Sequence, residues 1–108
     1  MILLHWKLQR ITAIILIPAI IYLIIYFLNM HSLSYLQIKN DITSIFGMIF
    51  ISFTSIMIFL HSSLGIETIL EDYIHEEKLQ KLLINLSNII HGLMLLLTFT
   101  FLLIITRN

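Results

Sequence analysis

The chain has 108 residues, 59% hydrophobic and 11% charged, with zero formal net charge, and its mean hydropathy is +1.02. A water-soluble domain of this length needs far more polar surface, so that class is excluded and an all-α integral membrane protein is expected. Zero net charge offers no footprint for nucleic acid. The absence of cysteine excludes disulfides, zinc–cysteine sites, iron–sulfur ligation and covalent c-type haem within this chain.

Met1 to Arg10 reads as a short head. Trp6 suits an interfacial anchor, and Lys7 and Arg10 mark a positive side. The apolar run that follows is about 20 residues long, longer than a cleavable signal allows, so no such leader is expected. Arg10 stands at the mouth of the first span. Two readings are open for it: snorkelling to lipid phosphates, or pairing with an anionic group of a cofactor.

The first span is expected over roughly residues 11–28, with a kink at Pro18 and with Tyr22 and Tyr26 one turn apart as an aromatic belt. A short polar loop, 31–41, follows, with His31 solvated. The second span is expected over roughly 42–69. The connection 71–81 reads as a partly helical surface segment in which Asp72 caps a turn and Tyr73 anchors at the interface. The third span is expected over roughly 82–105. There Asn85, Asn88 and His91 share a face, and interhelical hydrogen bonding is the favoured role over iron ligation by His91. No repeat or long linker divides the chain, so residues 1–108 read as a single domain with three transmembrane helices. Lys7, Arg10, Lys78 and Lys81 against Lys39 and Arg107 place the N-terminus and the 71–81 loop on the inner side.

The second span carries the chemistry. His61 lies in an otherwise apolar helix, where a histidine is costly and therefore a functional candidate. Asp72 follows eleven residues later, about 20° past three full turns and about 16 Å further along. Gly47, Thr54, Gly65 and Thr68 fall within about 40° of His61 on the helical wheel. This small, polar stripe lets a neighbouring helix or a flat cofactor approach closely.

A neutral imidazole in a dry site suits axial ligation of haem iron, and without cysteine the haem has to be a non-covalent b type. A second axial ligand would come from a partner subunit or from His91. At the membrane boundary, the Tyr73 hydroxyl with Asp72 beside it suits the carbonyl of a quinone. Glu71, Asp72, His75, Glu76 and Glu77 could pass protons to it from water. No nucleophile–base pair, phosphate loop or metal motif is seen, so any dehydrogenase centre is expected on another subunit.

Two motifs carry a family resemblance over most of the chain. His5-Trp6-Lys7-Leu8-Gln9-Arg10-Ile11-Thr12 is similar to an HW-x-x-QR-x-T pattern, and His61-x-x-x-Gly65 is followed by Asp72-Tyr73, His75 and Leu79-Gln80-Lys81. Together they resemble the small membrane-anchor subunit (cytochrome b small subunit) of succinate dehydrogenase, respiratory complex II. The extension by His75 and Leu79-Gln80-Lys81 resembles the mitochondrial and alphaproteobacterial members in particular.

The resemblance implies three membrane helices paired with a larger cytochrome b anchor subunit, with a flavoprotein and an iron–sulfur subunit on the inner side. It implies electron transfer from succinate oxidation in the tricarboxylic acid cycle to ubiquinone. His61 matches the haem b axial ligand, Arg10 the arginine near the haem propionates, and Tyr73 the ubiquinone hydrogen-bond donor with Asp72 alongside. The expected location is the mitochondrial inner membrane or a bacterial plasma membrane. Three other readings stay open at this level: an anchor without haem, a fumarate reductase-type anchor, and a small channel lined by Asn85, Asn88 and His91.

Overall fold

The computed structural model of the chain describes residues 2–107. Among these, helices α1 (Ile2–Asn29), α2 (Tyr35–Thr43), α3 (Ile45–Tyr73) and α4 (Glu77–Arg107) follow in order, with one 3-10 turn at Met30–Ser32. Three helical stretches, Leu3–Ser32, Ile45–Tyr73 and Glu77–Arg107, are long and apolar enough to cross a membrane. At 1.5 Å per residue the three long helices run to about 42–46 Å, more than the ~30 Å hydrocarbon core, so their ends extend into the headgroup layers. The chain is an all-helical, multi-pass membrane protein.

The helices outrun the spans read from hydropathy because their polar ends are helical too. α1 is helical from Ile2, through the Lys7–Arg10 head, and continues through Pro18. α3 carries Glu71, Asp72 and Tyr73 as its last turn, so Asp72 sits inside a helix and caps nothing. Only Ile74–Glu76 separates α3 from α4. The Gln80 side chain holds that turn, its Nε2 donating to the Ile74 carbonyl at 2.8 Å.

The expected polar loop 31–41 is largely a helix. Ser34 opens α2 with a capping box. Its hydroxyl accepts from the Gln37 N–H at 3.2 Å, and the Gln37 side chain accepts from the Ser34 N–H at 2.8 Å. His31 lies in the 3-10 turn, exposed, its Nδ1 3.0 Å from the Leu28 carbonyl.

Ser44 joins α2 to α3 by serving both ends. Its N–H donates to the Asn40 carbonyl at 3.0 Å, and its hydroxyl accepts from the Gly47 N–H at 3.0 Å. The corner is tight. A Cβ at Gly47 would collide with the Asp41 carbonyl, so only glycine fits there.

α3 is the central helix. It packs on both α1 and α4, which have little contact with each other. Few side chains are buried: Thr12, Leu16, Thr54, Leu64 and Leu102, with Gly47. Outward surfaces are Ile, Leu and Phe almost all round, as suits lipid or apolar partner helices rather than water. In lipid, hydrogen bonds and close contact hold helices together. α3 is tied to α1 by His61 and Thr12, and to α4 by Ser62 with His91 and Ser63 with Asn88.

Candidate functional site

Thr12 is the most deeply buried described side chain, 2% exposed, and it faces α3. Its hydroxyl oxygen lies 2.8 Å from the Leu8 carbonyl and 3.1 Å from the Gln9 carbonyl, both one turn back in α1. The same oxygen is 2.9 Å from His61 Nδ1. When the hydroxyl proton goes back to these carbonyls, which only accept, the oxygen is free to accept from Nδ1. That arrangement goes with the Nδ1–H tautomer of His61, whose unprotonated Nε2 bonds no described residue.

Such an imidazole is prepared to ligate a metal. One nitrogen is fixed by a hydrogen bond to the protein, which sets the ring's orientation, and the other presents its lone pair. Half-buried on an apolar helix, His61 fits an iron-porphyrin ligand. One turn along, Gly65 has the Gln9 side chain passing 3.7 Å from where a Cβ would stand, so α1 covers α3 closely here.

His91 is different. Its Nδ1 is 2.7 Å from the Ser87 carbonyl, which can only accept, so Nδ1 carries the proton. Its Nε2 is 2.9 Å from the Ser62 hydroxyl, which donates to it. Both nitrogens are occupied, and His91 serves as a tie between α4 and α3. Asn88 is tied likewise, its Oδ1 accepting from the Ser63 hydroxyl at 2.7 Å.

At the polar end of α3, Asp72 and Tyr73 are exposed neighbours on the last turn, Tyr73 by 77%. Neither side chain makes a hydrogen bond among the described residues, so both are available to other molecules. Because α3 is unbroken from Ile45 to Tyr73, Asp72 stands on the His61 side of the helix, about 16 Å away.

The N-terminus of α1 reaches the same end. His5 Nδ1 is 3.8 Å from Glu67 Oε2, and His5, Glu67 and Glu71 bring their donor atoms within 4.8 Å of one another. Glu71 was legible as part of the acidic run. His5 and Glu67 join it only through the packing of α1 on α3. Glu67 lies six residues after His61 and about 240° round the helix from it, and its one signal in the sequence is a carboxylate in an otherwise apolar stretch. His75, Glu76 and Glu77 lie beyond, exposed, with Glu77 paired to Lys81 at 3.2 Å.

Arg10 is not brought against His61. It leaves α1 about 200° from Thr12, and its guanidinium stacks over the Trp6 ring, 5.2 Å from the centroid. No carboxylate among the described residues pairs with it.

The fold and this site define a helical membrane subunit with a metal-competent histidine at mid-span and polar groups at one end. The chain matches, over residues 3–105, the family described as succinate dehydrogenase/fumarate reductase transmembrane subunit. It is 38% identical over 90 residues to the succinate dehydrogenase membrane anchor subunit of Reclinomonas americana, covering 80% of this chain and 74% of that protein. The chain belongs to this family and is a membrane-anchor subunit of it.

Proposed function

We propose that this anchor helps bind haem b through His61 and ubiquinone through Tyr73 and Asp72, in a complex that oxidises succinate and reduces the quinone pool. The observation that carries the reading is the Thr12–His61 pair, which leaves Nε2 of a mid-membrane histidine free for iron. A bound b-type haem supplies one-electron redox chemistry within the membrane.

This chain's own groups then have distinct tasks. Thr12 holds the ring and fixes its tautomer. Arg10, uncompensated and at the membrane boundary, pairs with haem propionate carboxylates. The Tyr73 hydroxyl donates a hydrogen bond to a quinone carbonyl, and Asp72 orients that donor. Reducing the quinone to quinol takes up two protons. His5, Glu67 and Glu71 form a hydrogen-bondable group between water and that end of the bundle.

The second haem ligand comes from the larger cytochrome b anchor subunit, since His91 has no free nitrogen. The iron–sulfur and flavoprotein subunits dock on the side of the N-terminus and the Ile74–Glu76 connection. That side faces the mitochondrial matrix or the bacterial cytoplasm.

Two variants of the purified complex test this reading. His61→Ala is expected to lower bound haem per flavin. Tyr73→Phe is expected to depress succinate–quinone reduction at least tenfold and to leave succinate oxidation by a soluble acceptor unchanged. Equal loss of both activities in Tyr73→Phe would point to misassembly and remove the quinone role. Undiminished haem with an unchanged spectrum in His61→Ala would remove the haem role.

A further inference from the structure

The end of the bundle away from His61 and Tyr73 contains a cavity of about 380 Å³ between the second half of α1, α2 and the first turns of α3. Tyr22, Tyr26, Phe27, Phe46 and Phe50 form its aromatic walls, and Asp41 supplies its one ionisable carboxylate. The rings brace one another. Tyr22 meets Phe46 and Phe50 edge-on, with centroids 6.2 and 5.0 Å apart, and Phe46 stacks on Phe50 at 5.8 Å. The Tyr26 hydroxyl donates to Asp41 Oδ2 at 2.8 Å.

No lysine, arginine or histidine lines this cavity, and Asp41 forms no ion pair among the described residues. An ionised carboxylate only accepts hydrogen bonds, and one from Tyr26 leaves most of its capacity unused. Its complement is therefore a cationic donor. Aromatic faces attract cations, so the walls favour the same partner as the carboxylate. A quinone does not fit this chemistry, since its carbonyl oxygens would face a carboxylate whose neighbouring tyrosine proton is already committed.

The remaining lining, including Leu23, Ile42 and Ile51, is apolar and needs a hydrophobic tail beside it. The cavity lies where the stretch Leu3–Ser32 ends and the stretch Ile45–Tyr73 begins, the region where a span meets the headgroup layer. We infer that it binds a phospholipid with a primary ammonium headgroup, the ethanolamine class, its ammonium on Asp41 and its chains along α1 and α3. The Tyr22 hydroxyl, which has no partner among the described residues, donates to the lipid phosphate.

This inference does not depend on haem or quinone binding. It is tested by extracting lipid from the purified complex carrying the wild-type chain, Asp41→Asn or Tyr26→Phe, and counting phosphatidylethanolamine per complex by mass spectrometry. Wild type and Tyr26→Phe should retain one molecule that Asp41→Asn loses, because only the last removes the charge. Equal phosphatidylethanolamine in all three would overturn the inference. So would loss of a bound quinone in its place, or loss in Tyr26→Phe as large as in Asp41→Asn. If Asp41→Asn does not assemble, exchange on the wild type decides. Excess phosphatidylethanolamine should displace a labelled phosphatidylethanolamine and excess phosphatidylcholine should not; equal displacement would overturn it.

Discussion

Thr12 meets Nδ1 of His61 and leaves Nε2 as the nitrogen without a partner among the described residues, and a conservative pair of variants separates that hydrogen bond from packing. Thr12→Ser keeps the hydroxyl and should keep haem as tightly as wild type. Thr12→Val keeps the shape and loses the hydrogen bond; loss of such an outer partner weakens metal binding about 10- to 100-fold. Haem retention during detergent washing, with the midpoint potential of what remains, is the measurement; a Thr12→Val complex matching wild type in both would show that Thr12 only fills space. Thr54 provides the contrast. It lies two turns from His61 on the same face, is 4% exposed, and its hydroxyl has no partner. Thr54→Val should therefore be neutral or stabilising, by up to about 1 kcal/mol in the melting of the complex. His61 stood out as a candidate from one residue, because an imidazole in an apolar run is conspicuous. Thr12 was legible only as part of a motif, because the atom it meets is 49 positions away.

Among the elements, the three long helices were legible because apolar runs of that length have few alternatives in lipid. Their ends were not, since charged turns such as Glu71–Tyr73 carry no hydropathy signal yet continue the helix. α2 was read as loop because Lys39, Asn40 and Asp41 dominate it. Its start was nevertheless written locally, as Ser34 with Gln37 three residues on. The α2–α3 corner makes a sharp prediction. Gly47→Ala forces a backbone carbonyl to move and should cost about 1–3 kcal/mol, seen as reduced assembly or a lower melting temperature. Gly92→Ala should be tolerated, since a Cβ there meets nothing within 4 Å. Equal tolerance at both positions would mean the corner is looser than drawn. The α3–α4 ties were anticipated as interhelical hydrogen bonds, and His91 and Asn88 make them.

For the whole molecule, the dominant fact is how little of it is buried within itself. Leu16, Leu64 and Leu102 are the buried apolar side chains among the described residues, while residues such as Ile14, Leu28 and Phe27 stand more than half exposed. On the proposed reading, this one membrane-facing chain would supply one haem ligand and part of a quinone site, and a partner anchor would complete both. Because His5 meets Glu67 and Glu71, the N-terminus and the α3–α4 connection share one end. On the proposed reading, the lysine and arginine distribution puts that end on the inner side. The chain has no cysteine of its own, so single cysteines report orientation cleanly. Lys78→Cys should be shielded from an impermeant maleimide in intact cells or mitoplasts, and Ser34→Cys labelled. The reverse pattern would invert the topology.

The most direct test of the central claim is the reduced-minus-oxidised visible spectrum of the purified complex, recorded for wild type, His61→Ala and His91→Ala. Ligation by His61 Nε2 predicts a low-spin b-type spectrum that turns high-spin or vanishes in His61→Ala and persists in His91→Ala. A spectrum unchanged in His61→Ala, or abolished in His91→Ala alone, would contradict it.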